Sequence, residues 1–439
     1  VTIAMKSLSK SSTLGEMWCH ATQDVYMTPV GIKADTRWAY NQEQINDIKQ
    51  RNPELSNEEF LLPTLSTRPY PIIGSTIVGP EEGAPYTFKR ENQNYTFFEM
   101  SPIYVGHVKT LDMEYNTNKK HSNTIQKRTV GGFIETYAFS TKTNSTDGSN
   151  IAPSTGLPSG EVIGNLDVPS PNKFLDIAFA AGASSFAPGA FFDSFKIQKP
   201  TSLHFNYWSP SSPIETGKKN MYDTLFADGG SYENIPLISF LQRGVDKIIY
   251  CSNSATGLQP SNKWNIDNDG AAMLPDMIDS SIPAFFGYFT ENDHKFQDRS
   301  YEYEKDQIFA QSDYAAVIKG LQAAQTAGSG IIYRTTLTTV QNEWWGLAGG
   351  MKVDITFIVL GRLSKWESLL NNDMRKIVQP KKDKDINDLS QTVKHGPFKH
   401  FPNYGTQAGE INSEQANLLA DMAGWSILQN AEMFQDILA

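Results

Sequence analysis

Residues Leu225 to Leu237 read LFADGGSYENIPL. Three apolar residues lead into a carboxylate, Asp228, and the glycine pair Gly229 and Gly230 follows at once. The pattern predicts a buried strand that presents a carboxylate at its last residue, just where the backbone turns. Glycine has no Cβ and tolerates positive φ, so the chain can pass close to another segment there. Pro236 fixes φ at the start of a following helix. On its own a D-G-G string also suits an ordinary turn with a solvated carboxylate. A carboxylate at the carboxyl edge of a sheet, followed by a glycine turn, is where α/β folds place their chemistry.

Working outward, short strand-like segments surround this stretch. Tyr70 to Val78 (YPIIGSTIV) is β-branched and bounded by Pro69 and Gly79. Tyr95 to Val105 and Gly131 to Ser140 are aromatic and strand-like. Ahead of them, Gln42 to Gln50 reads as a polar surface helix or loop, and Ser56-Asn57-Glu58-Glu59 reads as a helix start. Residues 141–171 are rich in Ser, Thr, Asn, Gly and Pro and read as a flexible loop or lid region. Phe174 to Phe192 is apolar with small residues throughout, and it contains Gly182-Ala183-Ser184-Ser185.

Beyond the aspartate, Ile238 to Arg243 is expected to be a helix and Lys247 to Cys251 the next buried strand. Asp306 to Ala327 has a helical pattern, and Ile331 to Val340, Trp344 to Leu347 and Lys352 to Leu360 read as a β-meander with a glycine turn. Asn412 to Asn430 closes the chain as a helix. Phe285 and Phe286 stand in a Gly- and Pro-rich region, where they either line an acyl-chain groove or pack a loop.

The string LFADGGSYENIPL resembles the aspartate motif of the phospholipase B, cytosolic phospholipase A and patatin-like lipid acyl hydrolases. YTFFEMSPIYV, GGFIETYAFS and LTTVQNEWWGL resemble further segments of that group in the same order, as do the His400 to Tyr404 string and the last helix. The likeness runs discontinuously over about residues 65–430. It implies a three-layer α/β/α sandwich with a mostly parallel central sheet, formed by residues 1–439 as a single catalytic domain. It implies a Ser-Asp dyad with Asp228 as general base, and a glycerophospholipid or lysophospholipid substrate met at a membrane surface. Gly229, Gly230, Phe285 and Phe286 would bound the substrate site. In the group, Gly182 to Ser185 corresponds to a structural segment rather than to the nucleophile.

Two parts that acyl transfer requires are absent from the 439 residues: a glycine-rich oxyanion loop and a G-x-S-G nucleophile elbow. One reading places the serine and loop upstream of Val1, in a longer precursor or a second chain. The other lays Gly15 to Trp18 over the stretch after the family's serine, which puts Leu14 in the nucleophile position and implies an inactive lipid-binding or assembly protein.

Composition narrows the alternatives. Hydrophobic residues are 39% of the chain and charged residues 20%, ample for a large core. The formal net charge is −10 and no long basic block occurs, which argues against nucleic acid as a partner. Lys381, Lys382 and Lys384 alternate with acidic residues, as in a solvated loop. Cys19 and Cys251 form no disulfide framework, and the histidines show no metal-ligand spacing, so no metal or other cofactor is expected. The compartment stays open.

Overall fold

The computed structural model describes residues 14–63, 69–80, 96–119, 122–138, 175–186, 203–207, 209, 222–233, 235–270, 277–288, 305–379, 388–405 and 411–438. The lid region 141–171, the cluster at Lys381 to Asp385, Val1 to Leu8 and Asn234 lie outside the described residues. The chain divides into two compact units, Val1–Pro236 and Leu237–Ala439.

In the first unit, helix α1 (Leu14–Thr22) leads through a short helical turn to strand β1 (Arg37–Trp38) and helix α2 (Gln42–Arg51). Asn41 caps α2 by accepting from the Gln44 amide at 2.8 Å, the role such a side chain plays for otherwise unsatisfied helix donors. The helix start expected at Ser56 is not one. Phe60–Leu61 forms strand β2, which pairs parallel with β1. The apolar run there ends at Pro63, too short to build a helix face.

Strands β3 (Ile73–Pro80), β4 (Thr96–Met100), β5 (Tyr104–Lys119) and β6 (Ser122–Glu135) follow, with β7 (Leu203–Tyr207) and β8 (Tyr222–Asp228) completing a sheet. Its order is β6-β5-β4-β3-β8-β7, six strands among the described residues. Every pairing within it is antiparallel. A mostly parallel central sheet in a three-layer sandwich is therefore not what this chain builds. The reason lies in the connections. Ser101 to Ile103 alone join β4 to β5, and Ser101 closes that turn by donating its hydroxyl to the Tyr104 carbonyl at 2.7 Å. A parallel pair needs a crossover of a dozen or more residues, whereas a tight turn forces the strands to run opposite ways.

Helix α3 (Ile177–Ser184) packs on β3 and β8. Asp176 caps it, accepting from the Phe179 amide at 2.6 Å. The core beneath includes Phe98, Phe179, Phe205, Tyr207 and Phe226, all buried. Helix α1 lies directly against α3, and Gly182 makes that approach possible. A Cβ there would come within 2.4 Å of Cys19 Sγ.

In the second unit, helix α4 (Leu237–Gln242) precedes strand β9 (Lys247–Ser252), as the sequence indicates. Helix α5 (Gln311–Ala327), strand β10 (Ile331–Thr338), strand β11 (Lys352–Val359) and helix α6 (Ser364–Leu369) follow, then helix α7 (Ser413–Gln429) and helix α8 (Gln435–Leu438). The sheet order is β10-β11-β9, with β10 and β11 antiparallel and β9 parallel to β11. Trp344 to Leu347 is not a third meander strand. It sits in the connection between β10 and β11, which an Asn342–Leu347 bridge closes.

Candidate functional site

Asp228 is the last residue of β8, and a single 3-10 turn, Gly229–Ser231, follows it. The strand ends there because the carboxylate turns back on its own chain: its Oδ1 accepts from the Gly230 amide at 2.8 Å. The backbone is fixed from the neighbouring strand as well. Thr76 Oγ1 donates to the Asp228 carbonyl at 2.9 Å, and Ser75 Oγ donates to the Ala227 carbonyl at 2.9 Å. Asp228 itself is half-buried.

The glycine pair serves close approach. A Cβ on Gly229 would lie 2.6 Å from the Gly74 carbonyl oxygen and 2.8 Å from its carbon. Neither Gly229 nor Gly230 has a positive φ, so lack of bulk is what this turn asks of Gly229. Asp228 and Phe226 leave β8 on the same side, because side chains two apart along a strand share a face. Phe226 meets Phe179 of α3 at 5.9 Å between ring centroids, so α3 covers the face from which the aspartate emerges.

Gly182 to Ser185 forms the end of α3, beside that face. Ser185 is exposed, and its hydroxyl donates to the Ala181 carbonyl at 2.7 Å and accepts from Trp18 Nε1 at 3.1 Å. Gly182 is held against Cys19. Leu14 opens α1 as its first residue.

Phe285 and Phe286 belong to the second unit and are buried, 1% and 0% exposed. Phe285 meets Tyr250 of β9 at 5.6 Å, and Phe286 meets Phe309 and Tyr314 at 5.6 and 5.4 Å. Their rings fill that unit's core, with Asp228, Gly229 and Gly230 in the other unit.

The first unit also holds a cavity of about 370 Å³ that sequence reading missed. Its floor is apolar and buried: Ala178, Phe179, Leu203 and Phe205. Its walls carry Glu16, Cys19, His20, Gln23, Arg37 and Asp176, and its rim Ala34, Asp35 and His204. These residues come from α1, β1, α3, β7 and the turns beside them, with Glu16 and Phe205 189 positions apart in the chain. The only sequence signal was Glu16 and His20, one helical turn apart on α1.

Among the described residues, no group of His, Cys, Asp or Glu is placed to hold a metal ion, and no helix is long and apolar enough to cross a membrane. Compared with protein-family models, with curated proteins and with solved structures, the chain matches none.

Proposed function

We propose that this chain carries the general base of a lipid acyl-ester hydrolase and that Asp228 is that base. The observation that carries the reading is the aspartate's placement: the end of β8, a carboxylate oriented by the Gly230 amide, and Gly229 pressed against β3. Because the sheet is antiparallel, support comes from this local geometry and from the motif, not from a position at the edge of a parallel sheet.

In this reading a serine Oγ gives its proton to the Asp228 carboxylate as it attacks the ester carbonyl. The tetrahedral oxyanion collapses, the alcohol leaves with that proton, and water then hydrolyses the acyl-serine. A dyad asks the aspartate to do what histidine does in a triad, which its fixed orientation favours. The substrate is a glycerophospholipid or lysophospholipid, met by a peripheral protein at a membrane surface. In favour of such a surface, Tyr26 and Val30 are 69% and 71% exposed in the turn after α1. No cofactor takes part.

The test is fluorophosphonate labelling of the complete natural protein, alongside fatty-acid release from lysophospholipid vesicles. Labelling on a serine that disappears in Asp228→Asn supports the dyad, since asparagine keeps an acceptor for the Gly230 amide but is no base. Labelling that survives in Asp228→Asn removes Asp228 from the chemistry. A folded protein that takes no probe and releases no fatty acid, yet binds the vesicles, is instead the lipid-binding relative with Leu14 at the nucleophile position.

A further inference from the structure

The cavity of the first unit joins an apolar floor to a wall residue whose acceptor has no donor. Phe179 and Phe205 stand with ring centroids 3.8 Å apart, and with Leu203 and Ala178 they form the floor. Gln23 stands in the wall, 4% exposed, where the π-helical turn Gln23–Met27 continues α1. A volume of about 370 Å³ falls in the range of small-molecule pockets.

The orientation of the Gln23 amide is set by its neighbours. One end faces the Ile32 carbonyl at 2.6 Å and Thr28 Oγ1 at 3.2 Å. A carbonyl only accepts, and Thr28 Oγ1 gives its own proton to the Gln23 backbone carbonyl at 3.1 Å, so that end is the NH2 group. Oε1 turns away from both, and among the described residues nothing donates to it. A buried acceptor without a donor is uncommon in a folded chain and destabilises it. The lining as a whole carries both signs of charge: Glu16, Asp35 and Asp176 against Arg37, His20 and His204. Arg37 Nη1 lies 3.8 Å from Asp176 Oδ2, so the two signs stand side by side. A ligand with a full charge of either sign meets like charge as well as opposite, and it gives up its hydration on entering. A neutral molecule that brings a donor avoids both costs and satisfies Oε1.

We propose that this cavity binds a small neutral aromatic molecule carrying one N–H or O–H donor, with indole as a simple example. The ring lies on Phe179, Phe205 and Leu203, and the donor meets Gln23 Oε1. Aromatic rings favour tilted and offset contacts, the kind Phe179 and Phe205 already make with each other. Gln23 sets the specificity, since a ring without a donor leaves its Oε1 unsatisfied. The site is independent of Asp228 and of ester hydrolysis.

The experiment is calorimetric titration of the whole chain with indole and with benzofuran, the same bicycle with a ring oxygen in place of the N–H. It is run at about pH 8, above histidine's ordinary titration range. The proposal expects saturable binding of indole, about five- to tenfold tighter than that of benzofuran, the effect of one hydrogen bond to a buried acceptor. Benzoate and benzylammonium, one charge of each sign, should both bind more weakly than indole. In Gln23→Met the advantage of indole should disappear, while benzofuran binds as it does to the parent and so reports an intact cavity. Ala34→Trp, a bulky group at an exposed rim position, should abolish binding of both without touching the core. Equal binding of indole and benzofuran by the parent chain overturns the proposal, whether or not Gln23→Met folds. Tighter binding of either ion than of indole also overturns it, as does an indole advantage that survives in Gln23→Met. So does the absence of any saturable indole binding by the folded chain.

Discussion

At the scale of single residues, Gly229 shows how a motif glycine can be required for its lack of bulk. Alanine there would place a Cβ 2.6 Å from the Gly74 carbonyl oxygen, against backbone that cannot swing aside. Gly229→Ala should therefore destabilise the protein by about 1–3 kcal/mol, the usual cost of overpacking. Gly424 is the control. It lies inside α7 with nothing within 4 Å of a Cβ, so Gly424→Ala should stabilise by about 0.5–1 kcal/mol. Urea unfolding of the two variants checks both signs, and a Gly229→Ala chain as stable as the parent would mean that β3 and the turn are free to part. Asp228 and its turn were legible in the sequence because their signal is local: an apolar run, a carboxylate, two glycines. The cavity was not, because Leu203, His204 and Phe205 meet Glu16 and Cys19 only through sheet and helix packing. No spacing along the chain encodes that meeting.

At the scale of elements, the segments were easier to read than their directions. Helix α5 lies within the residues the sequence marks for it, and the helix after Pro236 and strand β9 match their expected segments to within one residue at each end. Whether a strand runs parallel or antiparallel to its neighbour is set by connection length and by which strand it finds, and β8 lies between β7, the strand before it, and β3 from a distant part of the chain. The second unit shows a further element-scale dependence. Arg362, just before α6, sends Nε and Nη2 to the two carboxylate oxygens of Glu367 at 2.7 and 2.6 Å. Both side chains are buried, 2% and 5% exposed. Removing one partner strands a charge in the interior, so Arg362→Met should cost about 3–5 kcal/mol. Arg362→Met combined with Glu367→Leu should cost clearly less than the sum of the two single changes, because no buried charge then remains. A double-mutant cycle by chemical unfolding reads the coupling, and strict additivity would show that the pair contributes no coupling.

At the scale of the whole molecule, an excess of carboxylates, with net charge −10, makes stability sensitive to acid, and one cation ties several distant segments together. Arg334 on β10 reaches Asp354 on β11, the Met433 carbonyl at 3.0 Å and Asp436 on α8 at 2.5 Å. Hydrogen bonds from Arg334 hold the Asp436 carboxyl down at about 2 and lower that of Asp354 as well. Both groups are thus more acidic in the folded chain than in the unfolded one, where aspartate titrates near 4. Such a group adds stability that is fully present above the unfolded value and is lost as pH falls through the folded one. Arg334→Ala should therefore unfold at lower denaturant than the parent at about pH 7, and the gap should close between about pH 4 and pH 2. Because Asp436 is 56% exposed, ~1 M salt should narrow the gap at neutral pH. Arg334→Lys, with a single ammonium in place of the fork that spans two carboxylates, should recover only part of it. Equilibrium unfolding followed at a series of pH values decides the matter. A gap that stays constant down to about pH 2 would assign Arg334 a packing role and leave acid sensitivity to other carboxylates.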